Sequence, residues 1–120
     1  MGLDTFASST SEDVRLTEEQ ENAFAEAEVQ LCGGLFSGGG SSFRGKVYHE
    51  VVAEITGASL YQDWITPDEV KKMADCFQVL RDEEIEGFAA EFDLAPSEVV
   101  DLGKFFKVCS EHNLGLIGWW

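Results

Sequence analysis

The stretch PSEVVDLGKFFKVCSEHNLGLIGWW, residues 96–120, decides the fold of this chain. Its first part predicts a helix that begins at Pro96 or Ser97, because proline suits the first turn of a helix. Asn113 is a residue type that closes helices with a left-handed backbone. Between these ends, apolar side chains recur every three or four positions, so one face of the helix is expected to be buried. That face consists of Val99, Leu102, Phe106 and Cys109.

The second part, residues 114–120, is apolar, has glycine between its large side chains and carries no charged side chain. A solvated tail does not have this composition. We therefore predict a terminal strand that pairs with a short strand at residues 3–7. Trp119 and Trp120 are expected either to close the core or to form an apolar anchor for a second copy or another protein.

Two further helices are predicted before the middle of the chain. Thr17 and Gln20 have the spacing of a capping box, which places a first helix at residues 18–30. Ser41 or Ser42 is expected to cap the second helix, because serine is a preferred N-cap residue. Its apolar stripe has members four positions apart, namely Phe43, Val47, Val51 and Ile55.

The strongest local start signal in the chain is Thr66 followed by Pro67, an N-cap residue before a proline at the first helical position. It predicts a third helix. A fourth, shorter helix is expected from Asp82 to Phe92, because its acidic start suits the positive end of a helix dipole.

These elements predict a mainly α fold. We expect a compact bundle of about five unequal helices, with a small sheet that pairs the N- and C-terminal segments. A chain of 120 residues has the length of one domain, so residues 1–120 are expected to form a single domain. Within it, residues 1–16 are expected to be partly irregular and residues 32–42 to form a Gly/Ser-rich loop.

Acidic residues dominate the composition. The 23 Asp and Glu outnumber the 8 Lys and Arg, so the formal net charge is -15, and the excess is spread along the whole chain. Such a surface repels itself at low ionic strength and is screened as salt rises. It resembles the surfaces of cytoplasmic proteins from salt-loving archaea. The sequence shows no basic patch to neutralise phosphates, which disfavours direct binding to nucleic acid or to an anionic membrane, and neither is expected as a partner.

The three cysteines are odd in number and widely spaced, which indicates reduced thiols rather than a disulfide framework. No apolar run approaches the length of a membrane span, and the N-terminal residues lack the pattern of a signal peptide. We therefore expect a cytoplasmic protein. No cofactor is predicted.

The glycine-rich loop is the first candidate site, because backbone N–H groups near a helix start attract anions. Two of the 8 basic residues of the chain, Arg44 and Lys46, lie beside it. Residues 40–46 match the GxxxxGK core of a phosphate-binding loop, but Val47 stands where Ser or Thr would hold Mg²⁺. The alternative is a structural turn whose two cations pair with neighbouring acids. The candidate anion-binding residues are Gly40, Ser41, Ser42, Arg44, Lys46 and His49.

A second candidate rests on Cys109 and His112, which are three positions apart on one predicted helix and could share a metal ion. Cys76, Cys32 or His49 would have to complete the shell. Cys109 and Cys76 also fall on apolar stripes, so packed thiols are the favoured interpretation. A cysteine–histidine nucleophile has the same residues available but no surrounding motif.

The sequence leaves three functions open. We favour a non-enzymatic binding or adaptor domain with a halophile-type surface that contacts a protein partner or a second copy. A mimic of nucleic-acid charge that occupies a basic partner is the first alternative. A small anion- or metal-binding enzyme that uses the glycine-rich loop is the second.

Overall fold

The computed structural model describes residues 3–10, 16–29, 31 and 42–119. The elements of this part are five helices and three strands, which confirms the mainly α fold. In chain order they are β1 (Asp4–Ser8), α1 (Glu18–Glu26), β2 (Ser42–Arg44), α2 (Lys46–Thr56), α3 (Pro67–Gln78), α4 (Asp82–Glu91), α5 (Pro96–Glu111) and β3 (Gly115–Trp119).

The three strands form one antiparallel sheet in the order β2-β1-β3. β1 lies in the centre, with Phe6 opposite Ile117 of β3 and opposite Ser42 of β2. The predicted pairing of the two terminal segments is therefore confirmed. Both neighbours of β1 pair with it, so all five of its residues are buried.

The prediction that Ser42 can cap the second helix and that Phe43 belongs to its apolar stripe was wrong. Residues 42–44 form β2 rather than the first turn of α2, and Ser42 does not cap a helix. The N-cap position of α2 is Gly45, whose φ of 147° is a conformation that side chains strongly disfavour. Its N–H donates to the carbonyl oxygen of Leu3 at 3.0 Å. Pairing with β1 therefore overrides the helical spacing of Phe43, and the helix starts only after the glycine.

The first helix is also shorter than predicted. α1 ends at Glu26, and Glu28 adopts a left-handed backbone with φ of 58°. The N–H of Glu28 donates to the carbonyl of Ala25 at 3.1 Å, which closes the last turn. Val29 and Leu31, beyond that turn, pack against the core from outside the helix. Their contact with the core therefore does not require a continued helix.

The predicted helix starts are otherwise confirmed. The Oγ1 of Thr17 accepts from the N–H of Gln20 at 3.2 Å, and the side chain of Gln20 accepts from the N–H of Thr17 at 2.9 Å. Thr66 caps α3, and α4 begins at Asp82. At the other end of α5, Asn113 has φ of 55° and closes the helix as expected.

Aromatic side chains form the centre of the core. Phe105 of α5 lies with its ring centroid 5.0 Å from Phe24 of α1 and 5.0 Å from Phe43 of β2. Phe106 lies 5.4 Å from Phe77 of α3. Because α5 supplies the central rings, the sheet, α1 and α3 all pack around this one helix.

The connector after α2 closes the outer edge of the sheet. Ile65 exchanges two backbone hydrogen bonds with Leu116 of β3, of 2.8 and 2.9 Å. Leu60 and Ile65 of this connector are buried. Trp64 lies so close to Gly115 that only glycine fits there.

Among the described residues, no helix combines the length and the apolar composition that crossing a membrane requires.

Candidate functional site

The predicted anion site falls largely on residues whose surroundings differ from those expected. Gly40 and Ser41 lie outside the described residues. Ser42 is 2% exposed and belongs to a paired strand, so its backbone is not at a helix N-terminus. For Arg44 and Lys46, only the backbone is described; Arg44 lies opposite Asp4 in the sheet. Anion binding by these two side chains stays a prediction.

His49 has a structural role. Its Nδ1 accepts a hydrogen bond of 3.2 Å from the N–H of Leu60, and its ring lies 4.7 Å from the ring of Tyr61 in an edge-to-face arrangement. Both partners belong to the connector that follows α2. The histidine therefore fixes this connector against the helix.

The predicted metal ligands lie in three different surroundings. Cys109 is fully buried in the core, and this burial raises the pKa of its thiol well above the usual range. His112 follows α5 and borders an acidic cleft of about 490 Å³ beside α1. Cys76 is half-buried on α3, next to Lys72 and Met73 in a separate hollow.

These residues do not form a metal centre with one another. Within the described ranges, no three His, Cys, Asp or Glu side chains are grouped so that they could hold a metal ion. Cys32 lies outside those ranges. A neutral, enclosed thiol such as that of Cys109 is also a poor nucleophile, because the thiolate is the reactive form.

The packing also creates a groove between α3, α4 and α5. It has a volume of about 220 Å³. Its buried lining residues are Phe77 at the end of α3 and Val99 and Gly103 on α5. Leu80 and Ile85, both half-buried, add apolar surface from the start of α4 and the turn before it.

The groove exists because α3 and α5 approach each other closely at one point. A Cβ on Gly103 would lie 3.1 Å from the Cβ of Phe77, so the small residue brings the two helices together. The chain then turns at Val79 and Leu80 into α4, which packs on α5. The space left between the three helices is lined mainly by apolar side chains.

The edge of this groove carries unusual exposed residues. Val79, which lies between the lining residues Gln78 and Leu80 in the chain, is 75% exposed. Val100, which lines the groove from α5, is 41% exposed. They are the two large hydrophobic side chains found exposed within the described residues. Scattered exposed valines need no explanation, but two beside one apolar groove extend it into a patch.

The charges at the groove are mostly positive. Lys104 and Lys107 line it from α5. The Nζ of Lys104 lies 3.6 Å from an Oδ1 of the largely buried Asp101. Lys107 is exposed. The groove therefore presents cations in a chain that is otherwise acidic.

A third cation stands at the start of α4. The N–H and the Nε of Arg81 donate to one oxygen of Glu84, at 3.1 and 3.4 Å. These bonds hold the pKa of Glu84 below its ordinary value, chiefly through the backbone N–H. Arg81 lies next to Leu80, which lines the groove, but its side chain is paired with Glu84.

Comparison with known proteins gives no match to a family model, to a curated protein or to a solved structure.

Sequence reasoning did not find the groove. Its lining comes from three helices, and no motif joins them. One signal was present: Val100 and Val79 lie outside the apolar stripes of α5 and α3, although valine is a core-type residue. Apolar side chains placed off the buried stripe of a helix are candidates for a contact with another molecule.

Proposed function

We propose that this chain is a non-enzymatic protein-binding domain whose partner docks in the groove between α3, α4 and α5. The observation that carries the proposal is the apolar groove with Val79 and Val100 exposed at its edge. A protein partner can bury an apolar side chain in this groove, and such buried anchors supply most of the affinity at protein interfaces.

The surroundings of the candidate catalytic residues support binding over catalysis. The Nδ1 of His49 is occupied by the backbone of Leu60, and Cys109 is enclosed with a raised thiol pKa. A general base or nucleophile must reach a substrate with the right protonation state. Cys109 does not meet that requirement, and the Nδ1 of His49 already has a hydrogen-bond partner within the protein.

We further propose that the exterior is adapted to high salt in the cytoplasm. Exposed acids occur on each of the five helices rather than on one face, which supports a solvated surface over a row of charges that mimics nucleic acid. The exposed acidic residues of the helices are Glu18, Glu19, Glu21, Glu26, Glu50, Glu54, Asp68, Glu69, Asp75, Asp82, Glu83, Glu84, Glu86, Glu91 and Glu111.

Selection from a random peptide library tests the groove. Peptides are selected on the unmodified protein in about 1 M KCl, where the Debye length is about 3 Å and long-range attraction is screened. Their affinities are then measured for Val100→Trp, which fills the edge of the groove, and for Ala25→Trp, a matched change at an exposed position of α1.

If the proposal is right, the selected peptides lose roughly ten-fold or more in affinity for Val100→Trp and keep their affinity for Ala25→Trp, since a blocked anchor pocket costs an interface most of its energy. Equal affinities for both variants would contradict it. Circular dichroism of each variant checks that the helices are intact.

A further inference from the structure

The two charged side chains that line the groove have the opposite sign to most charged residues of the chain. The chain carries 8 cations against 23 acids, and two of the cations, Lys104 and Lys107, line this one apolar groove. An acidic ligand meets like charge over most of this molecule and opposite charge here. The distribution therefore directs such a ligand to the groove, because like charges elsewhere oppose wrong contacts.

The two lysines have different roles. Lys104 is held by Asp101 at 3.6 Å, so its charge is largely compensated within the protein and its stem forms part of the wall. Lys107, one turn further along α5, is exposed. An incoming carboxylate thus finds its partner at Lys107.

The size of the groove limits what enters it. Sites for small molecules usually have volumes of about 300–1,000 Å³, whereas this groove has about 220 Å³. A single large apolar side chain suits this space better than a whole metabolite. The exposed Val79 and Val100 offer further apolar contact to the residues that flank such an anchor.

We propose that the groove accepts a short acidic segment of a partner protein. One large apolar side chain of the segment packs against Phe77 and Val99, and a neighbouring carboxylate pairs with Lys107. This inference rests on the proposed function and names the ligand class for the same groove. High salt lowers the net repulsion between two acidic proteins, because charge interactions are screened beyond about 3 Å at 1 M.

Three fluorescein-labelled peptides test the proposal by anisotropy in 1 M KCl. The acidic probe is Gly-Asp-Asp-Leu-Trp-Asp-Asp-Gly, the basic probe has Lys in place of Asp, and the polar probe has Ser in place of Leu and Trp. The protein variants are Lys107→Glu and the matched control Lys72→Glu, an exposed lysine of α3 beside a different hollow.

We expect the acidic probe to bind the unmodified protein at least ten-fold more tightly than either other probe. Lys107→Glu is expected to weaken the acidic probe about ten-fold and to strengthen the basic probe, whereas Lys72→Glu changes neither by more than about two-fold, as for a charge outside the contact. The proposal would be overturned if Lys107→Glu and Lys72→Glu changed the affinity for the acidic probe equally. Tighter binding of the basic probe than of the acidic probe to the unmodified protein would also overturn it.

The same measurements separate this inference from the proposed function. If the basic probe binds more tightly and Val100→Trp blocks it, the groove is a docking site and only the acidic ligand class is wrong. If Val100→Trp blocks no probe, the proposed function fails too. Sedimentation velocity of the unlabelled protein tests whether a second copy of the chain occupies the groove instead. A dimer that dissociates in Lys107→Glu would assign the groove to that second copy and overturn the peptide proposal.

Discussion

Replacing Gly115 with alanine tests how the connector before α3 is held to the sheet. Gly115 is the first residue of β3, and an added Cβ would overlap the carbonyl oxygen of Ile65 and lie 2.5 Å from the ring of Trp64. The carbonyl oxygen belongs to the backbone and has no other rotamer. The connector must therefore move away from β3 to accommodate the methyl group.

The cost of this movement follows from the contacts that it breaks. Ile65 and Leu116 exchange two backbone hydrogen bonds, which are worth about 1 kcal/mol each when lost. Overpacking against the half-buried ring of Trp64 adds about 1–3 kcal/mol. We expect Gly115→Ala to lower the free energy of unfolding by about 3–5 kcal/mol, which corresponds to a fall in Tm of roughly 12–20 °C for a chain of this size.

Urea unfolding followed by circular dichroism measures the effect. The matched control is Gly87→Ala in α4, where an added Cβ meets no atom within 4 Å. Alanine is the better helix former, so this control is expected to gain about 0.5–1 kcal/mol. A free energy of unfolding for Gly115→Ala within about 0.5 kcal/mol of the unmodified protein, the range of ordinary surface changes, would show that the connector accommodates the methyl group without breaking its contacts with β3.

Four other outcomes are expected. Tyr48→Phe removes the 2.8 Å hydrogen bond to the carboxylate of Glu98 and should cost about 1.5 kcal/mol in urea unfolding; an unchanged midpoint would show that the bond contributes nothing. Iodoacetamide followed by mass spectrometry should label Cys76 in the native protein and Cys109 only in urea, because a buried thiol with a raised pKa does not react. The unfolding midpoint should rise between 0.1 and 1 M KCl, as the Debye length falls from about 10 to 3 Å; insensitivity to salt would remove the halophilic interpretation. Glu84 has a lowered pKa in the folded state, so its carboxylate adds stability above its ordinary value of 4.5, and this is lost as the pH falls through the lower value. Glu84→Gln should therefore lower Tm at pH 7 and have no effect in strong acid.

The helices that the sequence predicts correctly are those with local signals. Thr17 with Gln20, and Thr66 before Pro67, define helix starts within four residues of chain, and their geometry is as expected. The stripe of α5 is likewise a local pattern. The pairing of the terminal segments was predictable because an uncharged apolar end has few alternatives to burial.

The errors have long-range causes. β2 has three residues, too few for an alternating pattern, and it forms because β1 offers a partner from far away in the chain. Phe43 therefore resembles the start of the α2 stripe in sequence. Similarly, nothing near Glu28 announces its left-handed backbone, which depends on Val29 and Leu31 reaching the core.

The candidate site was the least predictable part. The sequence drew attention to the glycine-rich loop and to Cys109 with His112, because these have motif-like spacing. The groove depends instead on the distance between α3 and α5 at Gly103 and on the turn into α4. Such a site is a property of tertiary packing, and only the misplaced Val79 and Val100 hint at it in sequence.

The most direct test of groove docking is a map of amide chemical shifts. The ¹⁵N-labelled protein is titrated in 1 M KCl with the tightest peptide from the library selection. Docking in the groove predicts that the largest shifts fall at residues 77–80, at Ile85 and at residues 99–107, the parts of three helices that enclose the groove. Shifts concentrated instead beside His112 and α1, or around Cys76, would contradict it.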